Sequence, residues 1–102
     1  MATKFYIKQN DTKPSLSAIL AQDGSVVNLE GATVRFHMGS VVDAEAEVTG
    51  EATGSVQYNW VAADTATIGS HAAEFKVTYS DESTQTFPND DYLIVVVLPE
   101  VS

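Results

Sequence analysis

The sequence contains no cysteine, so disulfides, thiolate metal sites and a cysteine nucleophile are excluded together. Cationic residues are scarce. Five Lys and Arg stand against fourteen Asp and Glu, a formal net charge of −9, which works against phosphate backbones and anionic lipid as partners. No apolar run approaches the roughly 18 residues needed to span a bilayer. Residues 1–6 (MATKFY) lack the apolar stretch of a signal peptide. The expectation is a soluble protein, made and folded in the cytoplasm, that binds no nucleic acid and no membrane.

Helical spacing is also rare: few windows repeat apolar residues at i, i+3, i+4 and i+7. No glycine-rich loop leads into a helix, so the usual phosphate cradle of backbone amides is missing. There is no Gly-x-Ser-x-Gly elbow and no triad-like spacing. The two histidines, His37 and His71, lie about a third of the chain apart, and zinc or acid–base chemistry would need them to converge with a carboxylate. The plainer reading puts His37 on the polar face of a strand and lets His71, at a strand entry, hydrogen-bond the preceding loop. Asn89, Asp90 and Asp91, or Asp81 and Glu82, offer oxygen ligands close in sequence, but neither stretch has the Asp-x-Asp-x-Asp-Gly pattern of a calcium loop, and turn formation accounts for both. No catalytic, cofactor or metal residue is therefore assigned, and the chain is read as a non-enzyme.

What the sequence does have is period two. At 102 residues, 44% hydrophobic and 19% charged, the chain fits one domain over residues 1–102 with a single core. Phe5 and Ile7 alternate with Tyr6 and Lys8, and Leu16, Ala18 and Leu20 alternate with Ser15, Ser17 and Ile19 up to a turn at Asp23-Gly24. Residues 25–32 read as a loop with Val27 and Leu29 tucked inward. Val34, Phe36 and Met38 share one face. Val42, Ala44, Ala46 and Val48 alternate with Asp43, Glu45 and Glu47, an acidic row that suits an edge strand because like charges discourage pairing with another chain. Val56, Tyr58 and Trp60 form the cleanest amphipathic strand. A helical turn is expected within residues 61–70. Ala73, Phe75, Val77 and Tyr79 alternate next, and a hairpin at Asp81-Glu82 leads to residues 84–87. Residues 88–91 read as a bulged crossing before a last strand at 92–98. Turn signals every 8–12 residues and seven or eight short strands make an all-β antiparallel sandwich, whose core holds Leu20, Val34, Phe36, Met38, Val56, Tyr58, Trp60, Phe75 and Val77.

Six segments, in order, carry a resemblance: residues 5–12 (FYIKQNDT), 29–38 (LEGATVRFHM), 54–60 (GSVQYNW), Asp64-Thr65 with Gly69, 73–79 (AEFKVTY) and 86–93 (TFPNDDYL). Together they resemble the phage immunoglobulin-like domain at the N-terminus of baseplate upper proteins of the BppU family. The resemblance implies an immunoglobulin-like β-sandwich used for assembly, anchoring or decoration in a virion, at the baseplate, the tail or the head. It implies other virion proteins as partners, repeated copies or a homo-oligomer, and assembly in the host cytoplasm. Larger members continue into long receptor-binding or scaffold regions, whereas this chain ends after its last strand, which suits a stand-alone decoration or connector protein. Asp64, Gly69 and His71 also resemble the Asp-x-Gly-x-Tyr corner of immunoglobulin domains, with His71 where the tyrosine would stand. The rival reading is a carbohydrate-binding or host-adhesion domain, for which Tyr58, Trp60 and Tyr92 would supply an aromatic platform; the parity that Tyr58 and Trp60 share with Val56 argues for core instead.

The last strand, residues 92–98 (YLIVVVL), is apolar on both faces, and period two forces one set outward. By the family pattern Leu93, Val95 and Val97 face the core. Tyr92, Ile94 and Val96 are then the candidate interface, flanked by Asp90, Asp91, Pro99 and Glu100 as charged or proline gatekeepers. A loop or the N-terminal segment folded over that face is the alternative.

Overall fold

The computed structural model describes residues 3–22, 24–87 and 93–100, Thr3 by its backbone only. The chain forms strands β1 (Thr3–Lys8), β2 (Leu16–Ile19), β3 (Ala21–Gln22), β4 (Ser25–Val26), β5 (Thr33–Met38), β6 (Val42–Gly50), β7 (Ser55–Tyr58), β8 (Gly69–Thr78), β9 (Thr84–Phe87) and β10 (Leu93–Leu98). A single 3-10 turn occupies Ala62–Thr65.

The strands follow one path, β1-β10-β8-β5-β6-β7-β2, with β9 also on β8 and a separate β3-β4 ribbon. β6 makes the corner of this path. Its first part pairs with β5 through Val42–Ala46, and from Glu47 it pairs with β7, with an irregularity between Val48 and Gly50. One layer is thus β1-β10-β8-β5-β6 and the other β6-β7-β2, an immunoglobulin-like sandwich. Every pairing is antiparallel except β1 with β10, which run parallel.

Alternation places the core where the sequence predicts it. All nine expected core residues are buried, with Phe36, Met38 and Val77 fully enclosed. Phe36 sits at the centre of an aromatic cluster, stacked on Tyr58 at 4.6 Å, edge-on to Trp60 at 5.6 Å and tilted against Phe75 at 5.1 Å, spacings at which ring quadrupoles attract. Leu29 plugs the core and Val27 packs against it, as expected of that loop.

Two expectations change in detail. The strands outnumber the seven or eight expected because Asp23-Gly24 does not simply end a strand: the flanking Ala21–Gln22 and Ser25–Val26 pair as a small ribbon. β8 begins at Gly69 with His71 at its entry, as expected, and Gly69, Ser70, His71 and Ala72 lie against Val97, Val96, Val95 and Ile94. The acidic strand β6 is an edge only along its first half. Asp43, Glu45 and Glu47 do line its exposed side.

Candidate interaction surface

The predicted chemistry-bearing residues do not converge. His37 lies on the outward face beside Asp43 at 3.6 Å, whereas His71 has the parity of the buried residues of β8 and places Nε2 3.0 Å from the Thr67 carbonyl. Asp81 is occupied by its own turn. Its carboxylate accepts from the Ser83 hydroxyl and, at 2.9 Å, from the Ser83 amide, and these bonds hold it below the usual carboxylate range. Among the described residues no three metal-ligating side chains gather. Tyr58 and Trp60 are about one-twentieth exposed, so neither ring offers a sugar-stacking surface. Tyr92 and residues 88–91 lie outside the described residues.

The corner between β7 and β8 is built around Asp64, as the sequence suggested, but with a different phenol. The Tyr58 hydroxyl donates to Asp64 Oδ2 at 2.6 Å in a buried bond, and the Val61 amide donates to the same oxygen at 3.0 Å in a part-buried one. His71 does not replace the tyrosine of this corner; Tyr58 does. The signal for it was available, because a buried phenol needs a hydrogen-bond partner and Asp64 lies six residues on. Burial first, then the hydrogen bond and charge of Asp64, push the Tyr58 phenol well above its ordinary value of 10.0. The folded protein therefore keeps a proton that the unfolded chain releases above about pH 10, and this stabilisation is present below that pH and lost as pH rises past it. Tyr58→Phe should cost about 1.5–3 kcal/mol at neutral pH, since it removes a donor to a buried carboxylate. As pH rises past about 10 its urea midpoint should fall less steeply than that of the wild type. Parallel slopes would assign the alkaline loss to other groups, such as Tyr79, whose phenol burial also raises.

The outward face of the β1-β10-β8-β5-β6 layer divides into two zones. Over β8, β5 and β6 it is charged: Glu74 lies across from His37 and His37 from Asp43, while Lys76 lies across from Arg35 and Arg35 from Glu45. The Arg35 guanidinium donates to Asp43 Oδ1 at 3.0 Å and to the Asp43 carbonyl at 3.0 Å. Over β10 and β1 it is apolar. Leu93, Val95 and Val97 are buried, and Ile94, Val96 and Leu98 alternate with them on the outward side, half-covered. In register beside them on β1 stand Lys4, Tyr6 and Lys8, while Ala72 and Ser70 flank Ile94 and Val96 on β8. β1 lies alongside Ile94 and Val96 and does not fold over them. Tyr6 is 55% exposed, and Ile68, half-exposed, lies at the same end of the strip, one residue before Gly69.

This strip lies outside the buried core cluster, and the chain's relatives supply its context. Residues 2–90 match the BppU N-terminal domain. The chain belongs to that family. BppU N-terminal domains are structural domains of the phage baseplate. A search of curated protein sequences finds no match. Among solved structures, CopC from Methylosinus trichosporium OB3b superposes with a TM-score of 0.54 at 13% identity, over 98% of this chain and 88% of that one. SGBP-B of the Bacteroides ovatus mixed-linkage glucan utilization locus, solved with a mixed-linkage heptasaccharide, aligns with a TM-score of 0.48 at 16% identity, over 96% of this chain and 20% of its own. At these identities the likeness to CopC is one of fold.

Proposed function

We propose that the chain acts as one domain, residues 1–102, and is a non-enzymatic assembly module of the phage particle. It joins the baseplate or tail, or attaches at the head, by seating the outward strip of Ile94 and Val96 on another virion protein. Family membership supports a baseplate context. The observation that carries the interface is the apolar outward side of β10, set between Tyr6 and Ala72 on a face otherwise made of charges. Exposed apolar strips of this kind mark contact surfaces, and each large β-branched residue is worth about 1.5–3 kcal/mol when fully buried.

Changing Ile94 and Val96 together to Thr keeps strand propensity and removes apolar area. The double variant should fold, melt within a few degrees of the wild type and enter particles about thirtyfold less well, as two half-covered side chains worth roughly 1 kcal/mol each would require. Quantitative blotting of purified particles measures this. Wild-type incorporation would move the interface elsewhere, and loss of the fold would return these residues to the core.

A further inference from the structure

The two free edges of the larger layer carry opposite charges on the same face. β1 has β10 as its one strand neighbour among the described residues, so its far edge leaves backbone groups unpaired. Its outward side chains are Lys4, Tyr6 and Lys8, two of the five cations in the chain, and neither lysine makes an ion pair among the described residues. At the opposite end of the layer, Val42–Ala46 of β6 pairs with β5 and with no second strand among the described residues. Its outward residues are Asp43 and Glu45, and Glu47 follows on the same face where β6 begins to pair with β7. Where β6 turns away from β5, a shallow cleft of about 390 Å³ opens, with Ala32, Val34 and Ala46 along it and Glu45, Glu47 and Asn59 beside them. A mixed lining with two carboxylates suits a lysine side chain, whose ammonium meets the acids.

Strand directions also agree. β1 and β10 are parallel, and β10 to β8, β8 to β5 and β5 to β6 are antiparallel steps, so β1 of one copy laid beside β6 of another meets it antiparallel. Side chains alternate with period two, so any register that keeps the outward faces together sets a lysine opposite or diagonal to a carboxylate.

We infer that copies of this chain associate edge to edge, with Lys4, Tyr6 and Lys8 of β1 on one copy against Asp43 and Glu45 of the free stretch of β6 on the next and Glu47 beside them. This deepens the assembly reading and rests on it. The contact is heterologous, since two different patches meet. Sheet twist rotates each copy against the last, so the contact generates a ring where the rotation closes and a filament where it does not. A contact this small is weak between free molecules and strengthens when a particle holds the copies close together. The net charge of −9 opposes association at long range, but in about 0.1 M salt charges more than about 10 Å apart are screened while ion pairs in contact are not.

Sedimentation of the purified protein up to about 1 mM in about 0.1 M salt tests this without any particle. The wild type should show a mass that rises with concentration. Lys4→Glu with Lys8→Glu, and separately Glu45→Lys with Glu47→Lys, should each stay monomeric while keeping wild-type circular dichroism and melting. An equimolar mixture of the two double variants should associate again, because every reversed edge then finds its complement. The Ile94→Thr, Val96→Thr variant should associate like the wild type. A monomeric wild type, charge variants that still associate, a mixture that does not, or loss of association in the Ile94 and Val96 variant would each overturn the edge contact. A monomeric wild type that still enters particles overturns it while sparing the assembly reading.

Discussion

Phe36→Ala should lower the unfolding free energy by about 3–5 kcal/mol, a large share of what a domain of this size has. Phe36 is wholly enclosed, and its ring touches three others contributed by β7, by the residues just after it and by β8. These come from both layers, so collapse around the missing ring would need the layers to close on each other, which β6 prevents by being hydrogen-bonded into both. The cavity therefore stays largely open, and the cost falls toward the upper end of the range. Urea denaturation followed by circular dichroism measures it. A loss below about 1 kcal/mol would mean that this face is not the core.

Gly54→Ala should be nearly as damaging, at about 3 kcal/mol or more, although it adds one methyl group. Gly54 is buried with φ +66°, a left-handed conformation that costs an L-residue about 1–2 kcal/mol. A β-carbon there would lie 2.5 Å from the Leu20 carbonyl oxygen and 3.1 Å from that of Val27. Neither oxygen belongs to a flexible side chain. The Leu20 amide donates to the Gly54 carbonyl at 2.8 Å and the Val27 amide to the Leu20 carbonyl at 3.0 Å, so relief of the clash breaks the seam that joins the end of β2 to the start of β7. Gly24→Ala is the control. Gly24 also has positive φ, at +82°, but open space around it, so its substitution should show the conformational cost alone. Equal losses at the two positions would leave the clash without effect.

The core was legible because alternation is local: Val34, Phe36 and Met38, or Val56, Tyr58 and Trp60, declare their shared face within five residues. The candidate surface was legible for a related reason, since β10 is apolar at every position and a strand has two sides. What the sequence did not convey is which strands lie side by side. The parallel pairing of β1 with β10 joins residues about 90 apart and has no turn to announce it. The division of β6 between two layers likewise depends on where β5 and β7 end up, not on its own pattern. The Asp64 corner was half legible: the carboxylate was singled out, but Tyr58 was read for its ring and not for its hydroxyl.

In a hairpin the turn sets the register, and a strand has little freedom to choose another. β1 enjoys no such guide, so its alignment along β10 is decided by its side chains and by the contacts at its ends. A slip by one residue would turn Phe5 and Ile7 to solvent and drive Lys4, Tyr6 and Lys8 into the core, which the two lysine charges forbid. A slip by two keeps the correct face and would pass that test. It is opposed by the packing of Phe5 on Trp60 and, at the far end of the strand, by the Gln9 amide donating to the Leu98 carbonyl, the Asn10 amide to the Thr65 carbonyl and the Asn10 side chain to Glu100. The polar residues just after β1, at first sight ordinary loop, thus act as the stop against which the strand is aligned.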